Sequence, residues 1–262
     1  MKDNLKICIC LAHNYSSFDR NFVMSLLTMQ SYFYEWRKEA GKNHSLMLMV
    51  HGGYCLDKMR NAVTIEALNN NADIILYLDT DMTFPPNTIV RLLKTLEDNP
   101  EYKAVSGLYT AKKDPYVPQI FSKFDKKRQR FVRSVAFWLD NPFPIDGAGL
   151  GIFMVWADEI KKLEMPYFKF VDKGENKLIK YGMGEDLYFC WKLINNNVKI
   201  ICDPQTICGH LDTRPVDLGS YVRKNKLKIK NNQIYITKEQ VKILEKKSKK
   251  QFEQKETKIK FK

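Results

Sequence analysis

The run Asp73-Ile-Ile-Leu-Tyr-Leu78, followed at once by Asp79-Thr80-Asp81, constrains this chain more than any other feature. Its apolar residues fall on successive rather than alternate positions, so it reads as a strand covered on both faces. A helix-like stretch opened by Pro85-Pro86 and running to about residue 96 comes next. Two carboxylates are therefore held at the carboxyl end of a central strand, where open α/β sheets bind their ligands. Carboxylates one residue apart at such a place favour a cation between or beside them. A divalent ion carrying a diphosphate is the natural candidate.

The same alternation precedes this strand. Residues 6–11 read as a first strand ending in the polar loop Ala12-His13-Asn14. Residues 16–38 space Phe18, Phe22, Leu26, Met29, Phe33 and Trp36 as a helix does, and Gly41 stops it. Residues 46–50 form a second strand and 56–68 a second helix, ended by Asn69-Asn70-Asn71. This β-α-β-α-β order predicts a parallel, right-handed, Rossmann-like nucleotide-binding half.

Further along, 104–108 reads as a strand, and 109–140, rich in Lys, Pro and aromatics, as an antiparallel excursion turning at Lys126-Lys127-Arg128. A glycine-rich loop, Asp146-Gly147-Ala148-Gly149-Leu150-Gly151, then feeds a strand. Because it leads into a strand rather than a helix, it is no dinucleotide fingerprint. A helix is expected over 157–163. Gly182-Met183-Gly184-Glu185-Asp186 introduces another to about residue 194, 198–202 is a strand, and His210 lies in the loop after it.

With 262 residues, 44% of them hydrophobic, the chain can bury a substantial core. No apolar run approaches the roughly 18 residues of a membrane span, and residues 7–12 are too short for a secretory leader. Six cysteines without a Cys-x-x-Cys pair lie mostly in apolar segments. Reduced core thiols, and hence a cytoplasmic location, are expected. The net charge of +13 is concentrated at one end: residues 220–262 carry 15 Lys and Arg against 4 Asp and Glu, leaving only +2 for residues 1–219. We therefore expect a catalytic domain over 1–219 and a basic appendage over 220–262. Residues 227–230 and 233–237 would form a hairpin about Asn231-Asn232, with a basic helix or disordered segment after it. Such an appendage suits an anionic partner, either a membrane face to which the enzyme is peripheral or a nucleic acid; a merely solubilising tail is the plainer alternative.

As an ordered set, Arg60-Asn61, Asp79-Thr80-Asp81, the glycine loop, Gly184-Glu185-Asp186 and the late His210 resemble GT-A-type glycosyltransferases, family-2-like enzymes in particular, over roughly residues 5–215. The resemblance implies an α/β/α sandwich with a mostly parallel sheet, a nucleotide-diphosphate sugar as donor, and Mn²⁺ or Mg²⁺ as cofactor. It places Asp81 on the metal, Asp79 on the ribose or the metal's water shell, and His210 on the metal or diphosphate. It puts Ala12, His13 and Asn14 at the base and ribose, with Thr80, Arg60 and Asn61 close to the nucleotide.

The chemistry expected of these residues agrees. A departing diphosphate gains negative charge, which a carboxylate-held cation neutralises without moving protons. Asp186 is the candidate general base for the acceptor hydroxyl in an inverting transfer, with Glu185 supporting it or binding acceptor hydroxyls. Acids at a helix start also arise simply from favourable placement against the helix dipole. Gly147, Ala148 and Gly149 would form the floor where donor and acceptor meet, Asp146 would touch a sugar hydroxyl, and Trp138 is a candidate to stack on an acceptor ring or to pack in the core. A glycan or another hydroxyl compound would be the acceptor. The alternatives are sugar transfer to modified bases in DNA, a nucleotidyltransferase, which lacks its basic glycine-rich loop here, and a non-catalytic binding module acting through the tail.

Overall fold

The computed structural model describes residues 2–13, 17–135, 137, 139–172, 182–212, 218–230 and 233–247. Asn14, Trp138 and the Asn231-Asn232 turn lie outside them. In chain order the elements begin with β1 (Lys6–His13), α1 (Arg20–Glu39), β2 (Ser45–Gly52), α2 (Leu56–Asn69), β3 (Ile74–Asp79), β4 (Met82–Thr83), α3 (Thr88–Asp98) and β5 (Tyr102–Leu108). They continue with β6 (Ile120–Asp125), β7 (Arg130–Arg133), β8 (Phe143–Ile145), β9 (Gly147–Ala148), β10 (Ile152–Trp156) and α4 (Ala157–Lys161). The last are α5 (Glu185–Asn195), β11 (Lys199–Ile207), β12 (Gly209–His210), α6 (Leu218–Lys224), β13 (Lys228–Lys230) and β14 (Gln233–Tyr235).

The central sheet has seven strands in the order β2-β1-β3-β10-β5-β11-β8. β2, β1, β3, β5 and β11 run one way, and β10 and β8 oppose them. This is the mostly parallel, Rossmann-like α/β/α arrangement that the alternating sequence predicts. The antiparallel excursion is also present: β6 pairs with β7 across the turn at 126–129 and with β9 on its other side.

Burial on both faces of β3 explains why its apolar run is continuous. Ile74, Leu76 and Leu78 join Ile7, Ile9 and Leu11 of β1 against Phe22, Met29 and Phe33 of α1 and Leu92 and Leu96 of α3. Ile75 and Tyr77, pointing the other way, join Cys8 and Cys10 against Val63 and Ala67 of α2 and Phe189 and Leu193 of α5. Each such side chain contributes roughly 1.5–3 kcal/mol by leaving water. Gly41 takes a positive φ of 63° just past α1, which a glycine adopts without strain. All six cysteines are free, and all but Cys55 are buried.

The basic C-terminal segment is packed against this body. The position chosen from charge as a boundary falls inside α6, where Tyr221 is fully buried and donates its hydroxyl hydrogen to the Val135 carbonyl at 2.9 Å. Leu227, Ile234 and Leu244 are buried in the same apolar cluster as Phe137, Val198 and Ile200. β13 and β14 form an antiparallel hairpin, and residues 238–247 are helical. Among the described residues, no helix is long and apolar enough to cross a membrane.

Candidate functional site

The site lies at the carboxyl ends of β1 and β3, where Ala12 is in register with Asp79. β10 runs back beside β3, and the Gly151 carbonyl accepts a hydrogen bond from the Asp79 amide at 3.2 Å. The glycine loop is thus joined to the aspartate pair by the sheet itself. A second connection brings in the end of the chain: β12 pairs with β4, His210 opposite Met82 and Gly209 opposite Thr83, and the Leu211 amide donates to the Asp81 carbonyl at 2.7 Å. Gly209 leaves room for that approach: a Cβ there would lie 2.5 Å from Thr83 Oγ1, which would have to turn away.

Asp81 is the first centre of charge. Its Oδ2 pairs with Lys112 Nζ at 2.6 Å, and its Oδ1 lies 3.6 Å from His210 Nε2. Asp81 Oδ1 is buried and makes no hydrogen bond among the described residues. The His210 Nδ1–H donates to the Thr110 carbonyl at 2.8 Å, so in the neutral ring the Nε2 lone pair faces that orphaned oxygen. Burial pushes the Asp81 carboxyl up, but Lys112 and the imidazole in its cationic form outweigh it and hold it at about 2. Two lone-pair donors facing each other across 3.6 Å suit a cation better than a hydrogen bond. No cluster of three or more His, Cys, Asp or Glu side chains stands ready for a metal among the described residues. Asp81 and His210 alone would therefore leave most of a metal's coordination positions to other ligands.

Arg60 is the second. It is 4% exposed and donates through two nitrogens, to Asp79 Oδ1 and to Glu185 Oε1, each at 2.7 Å. Burial alone lowers its pKa, yet the two carboxylates more than restore it, and the guanidinium stays charged. The arginine joins the strand-end pair to the acids that open α5. Asp186, beside it, is partly buried, and its Oδ1 accepts from the Leu187 amide at 2.7 Å. Burial raises both Asp186 and Glu185 above ordinary carboxylates; Arg60 opposes the rise in each.

Three residues that sequence reading did not single out complete this surface. Lys112 is one. Tyr109, buried, accepts from the Gly151 amide at 3.0 Å and meets the His210 ring edge-on at 5.6 Å. Gly149 fits between Tyr109 and Asp186: a Cβ there would lie 2.1 Å from the Tyr109 hydroxyl and 3.5 Å from Asp186 Oδ2. Arg133 lies over the Phe121 ring at 4.5 Å and donates to the Pro118 carbonyl at 2.6 Å. Burial lowers its pKa to about 10 against the pull of Asp186 and Tyr109. A lysine in a basic loop, a tyrosine at a strand end and an arginine in a hairpin carry no local signal that separates them from their neighbours.

Other predicted residues are engaged in holding the frame. Asn61 Oδ1 accepts from the Tyr167 and Phe168 amides, while its Nδ2 donates to the Asp57 and Phe168 carbonyls. Its amide thus fixes the 167–168 turn. Asp146 accepts from the Phe124 amide at 2.6 Å, and Gly147 and Ala148 pair with Phe121 and Ile120 in the small sheet. A cavity of 210 Å³ opens between His13, Asp19, Thr80, Asp81, Lys112 and Asp212. There His13 Nδ1 and Thr80 Oγ1 share a hydrogen bond of 2.9 Å, and Phe18 stacks on the imidazole at 4.0 Å.

No known protein family matches the sequence, and no curated protein does. Among solved structures, the chain is similar to A197 from STIV, with a TM-score of 0.55 and 14% identity, over 82% of this chain and 92% of A197. At that identity the likeness shows a shared fold, and function must rest on the site.

Proposed function

We propose that this protein is a GT-A-like, metal-dependent glycosyltransferase that moves a sugar from a nucleotide-diphosphate donor to an acceptor hydroxyl with inversion. The observation that carries the reading is Arg60 bridging Asp79 to Glu185, because it brings two acidic pairs, remote in sequence, to one face at the sheet's carboxyl edge.

Asp81 and His210 fit Mn²⁺ or Mg²⁺ by the orphaned Oδ1 and the inward Nε2, with Asp79 placed for its water shell. When bound, that ion would neutralise charge on the diphosphate. The cavity beside His13 and Thr80, at the end of β1, would take the ribose and base, with Ala12 and Asn14 flanking His13 in the chain. Asn61 serves by keeping the turn at 167–168 in place rather than by touching the donor. Across Gly149, an acceptor hydroxyl reaching Asp186 loses its proton to that carboxylate as its oxygen attacks the anomeric carbon. The bond to the diphosphate oxygen breaks with its electron pair staying on the leaving group. Burial suits Asp186 to this task, since a carboxylate with a raised pKa is a stronger base than one in water. Asp146, Gly147 and Ala148 shape the acceptor side from behind, and Trp138 precedes them in the chain. The acceptor is a glycan or another hydroxyl compound, and the basic segment holds the enzyme to an anionic partner on the cytoplasmic side of a membrane.

The test is incubation of the full chain with UDP- and GDP-sugars and Mn²⁺, measuring release of nucleoside diphosphate with and without hydroxyl acceptors. Release that Asp81→Asn and Asp186→Asn both abolish supports the reading. Release of pyrophosphate from nucleoside triphosphates instead would transfer the site to nucleotidyl chemistry.

A further inference from the structure

Lys112 is the basic side chain that reaches Asp81, and nothing in the transfer chemistry above uses it. It follows β5 on a segment fixed by backbone pairing: Thr110 bridges Pro118, and the Ala111 amide donates to the Val117 carbonyl at 2.9 Å. From that support its ammonium enters the cavity beside Thr80 and Asp212 and takes Asp81 Oδ2 at 2.6 Å. The same carboxylate offers its other oxygen, unbonded, towards His210. One carboxylate thus stands between an ammonium and a place suited to a second cation.

We propose that Lys112 is a donor-binding residue that holds Asp81 in the empty site and turns to the diphosphate when it arrives, so that metal and diphosphate each bind weakly alone and tightly together. The inference rests on reading the site as one that takes a diphosphate. An ammonium on Oδ2 repels a divalent cation approaching Oδ1 of the same group, because so short a separation in a half-buried cavity is poorly screened. A diphosphate removes the conflict: its oxygens accept from the ammonium while also facing the metal. Lysine suits this exchange, being a mobile point charge with three donors on a flexible stem. The coupling is reciprocal, so whichever ligand binds first strengthens the other by the same factor. A lysine that merely neutralised Asp81 would stabilise the fold and do nothing else.

Full-length wild type, Lys112→Met, Lys112→Gln and Lys112→Arg are compared with two probes. Binding of Mn²⁺ alone is read by electron paramagnetic resonance of the free ion. Binding of inorganic pyrophosphate is read by calorimetry, once in chelator and once with Mn²⁺. Both neutral variants should bind Mn²⁺ alone about tenfold more tightly and pyrophosphate in chelator about tenfold more weakly, as loss of one charge-assisted contact implies. Lys112→Arg should keep pyrophosphate affinity within a few fold. Equal Mn²⁺ and pyrophosphate affinities in wild type and the neutral variants would overturn the proposal, as would a wild type that binds no pyrophosphate. If the opposed shifts appear but no nucleotide sugar is consumed, Lys112 keeps this role and the sugar-transfer reading falls.

Discussion

Arg60 donates to Glu185 across 2.7 Å in the protein interior, although 125 positions separate the two in the chain. Its second nitrogen reaches Asp79, so one guanidinium compensates two carboxylates from different elements. An arginine is suited to this by its planar fork, which serves two acceptors at once. The pair is part of the frame: it sets where α5 begins relative to the end of β3.

Removing that guanidinium leaves Asp79 and Glu185 facing each other with nothing between. Arg60→Met should cost about 3–5 kcal/mol in urea unfolding, the penalty for breaking a buried pair from one side. Adding Glu185→Gln should recover part of the loss, and a double-mutant cycle measures how much. A simple sum of the two single effects would show that the contact carries no coupling.

Asp186→Asn should reduce turnover at least about a hundredfold while nucleotide-sugar affinity holds. The same change should raise the thermal midpoint by a few degrees at neutral pH. Burial raises the folded pKa of Asp186 above its unfolded value, so its ionised form costs stability at neutral pH, and acidification through the folded pKa relieves that cost. The advantage of the amide should therefore shrink as pH falls. In wild type, kcat/KM should drop on the acid side at a pH above the ordinary carboxylate midpoint of about 3.9. Calorimetric scans and pH–rate profiles check both statements.

Gly149→Ala would put a methyl group 2.1 Å from the Tyr109 hydroxyl oxygen, whereas the tyrosine Cζ lies 3.2 Å away. The single substitution should cost about 1–3 kcal/mol by overpacking and lower activity through displacement of Tyr109 or Asp186. Tyr109→Phe removes the clashing atom. Gly149→Ala with Tyr109→Phe should accordingly be more stable than Gly149→Ala alone, despite the hydrogen bond from the Gly151 amide that Tyr109→Phe gives up. A double variant no better than Gly149→Ala would place the crowding elsewhere.

Tyr221 gives the basic segment a structural duty separate from its charge. Its ring is fully buried and its hydroxyl donates to the Val135 carbonyl. Tyr221→Ala should destabilise the whole protein by about 3 kcal/mol in a single cooperative transition. Loss confined to the end of the chain, with the melting of the body unchanged, would separate the two.

Much of this organisation is legible in the sequence because it is local. The run ending in Asp79 declares a two-faced strand by composition alone, and helix spacing from Phe18 to Trp36 declares α1. The place of His210 after the last strand of the central sheet is local too, although the structure puts it in the short strand β12 rather than in a loop. What escapes is whatever depends on pairing between distant segments. Nothing local shows β10 running antiparallel between β3 and β5, nor that Lys112 rather than Lys113 reaches Asp81. Asn61 shows the converse. Its position beside Arg60 suggested ligand contact, while its amide is taken up by backbone from 167–168, which no pattern around residue 61 announces. The charge asymmetry marked the C-terminal segment as separate, but Leu227, Ile234 and Leu244 are buried with the core, because a few apolar residues suffice to dock a strongly basic stretch.

The ladder between β4 and β12 is two residues long on each side, and with the Leu211 amide and the Thr110 carbonyl it sets the imidazole against Asp81. A ribosome that has made only the first two hundred residues has already supplied both strand-end aspartates and the arginine behind them, but not the imidazole. If the pair takes the ion proposed for it, affinity for that ion should be acquired late in biosynthesis, after the sheet has closed.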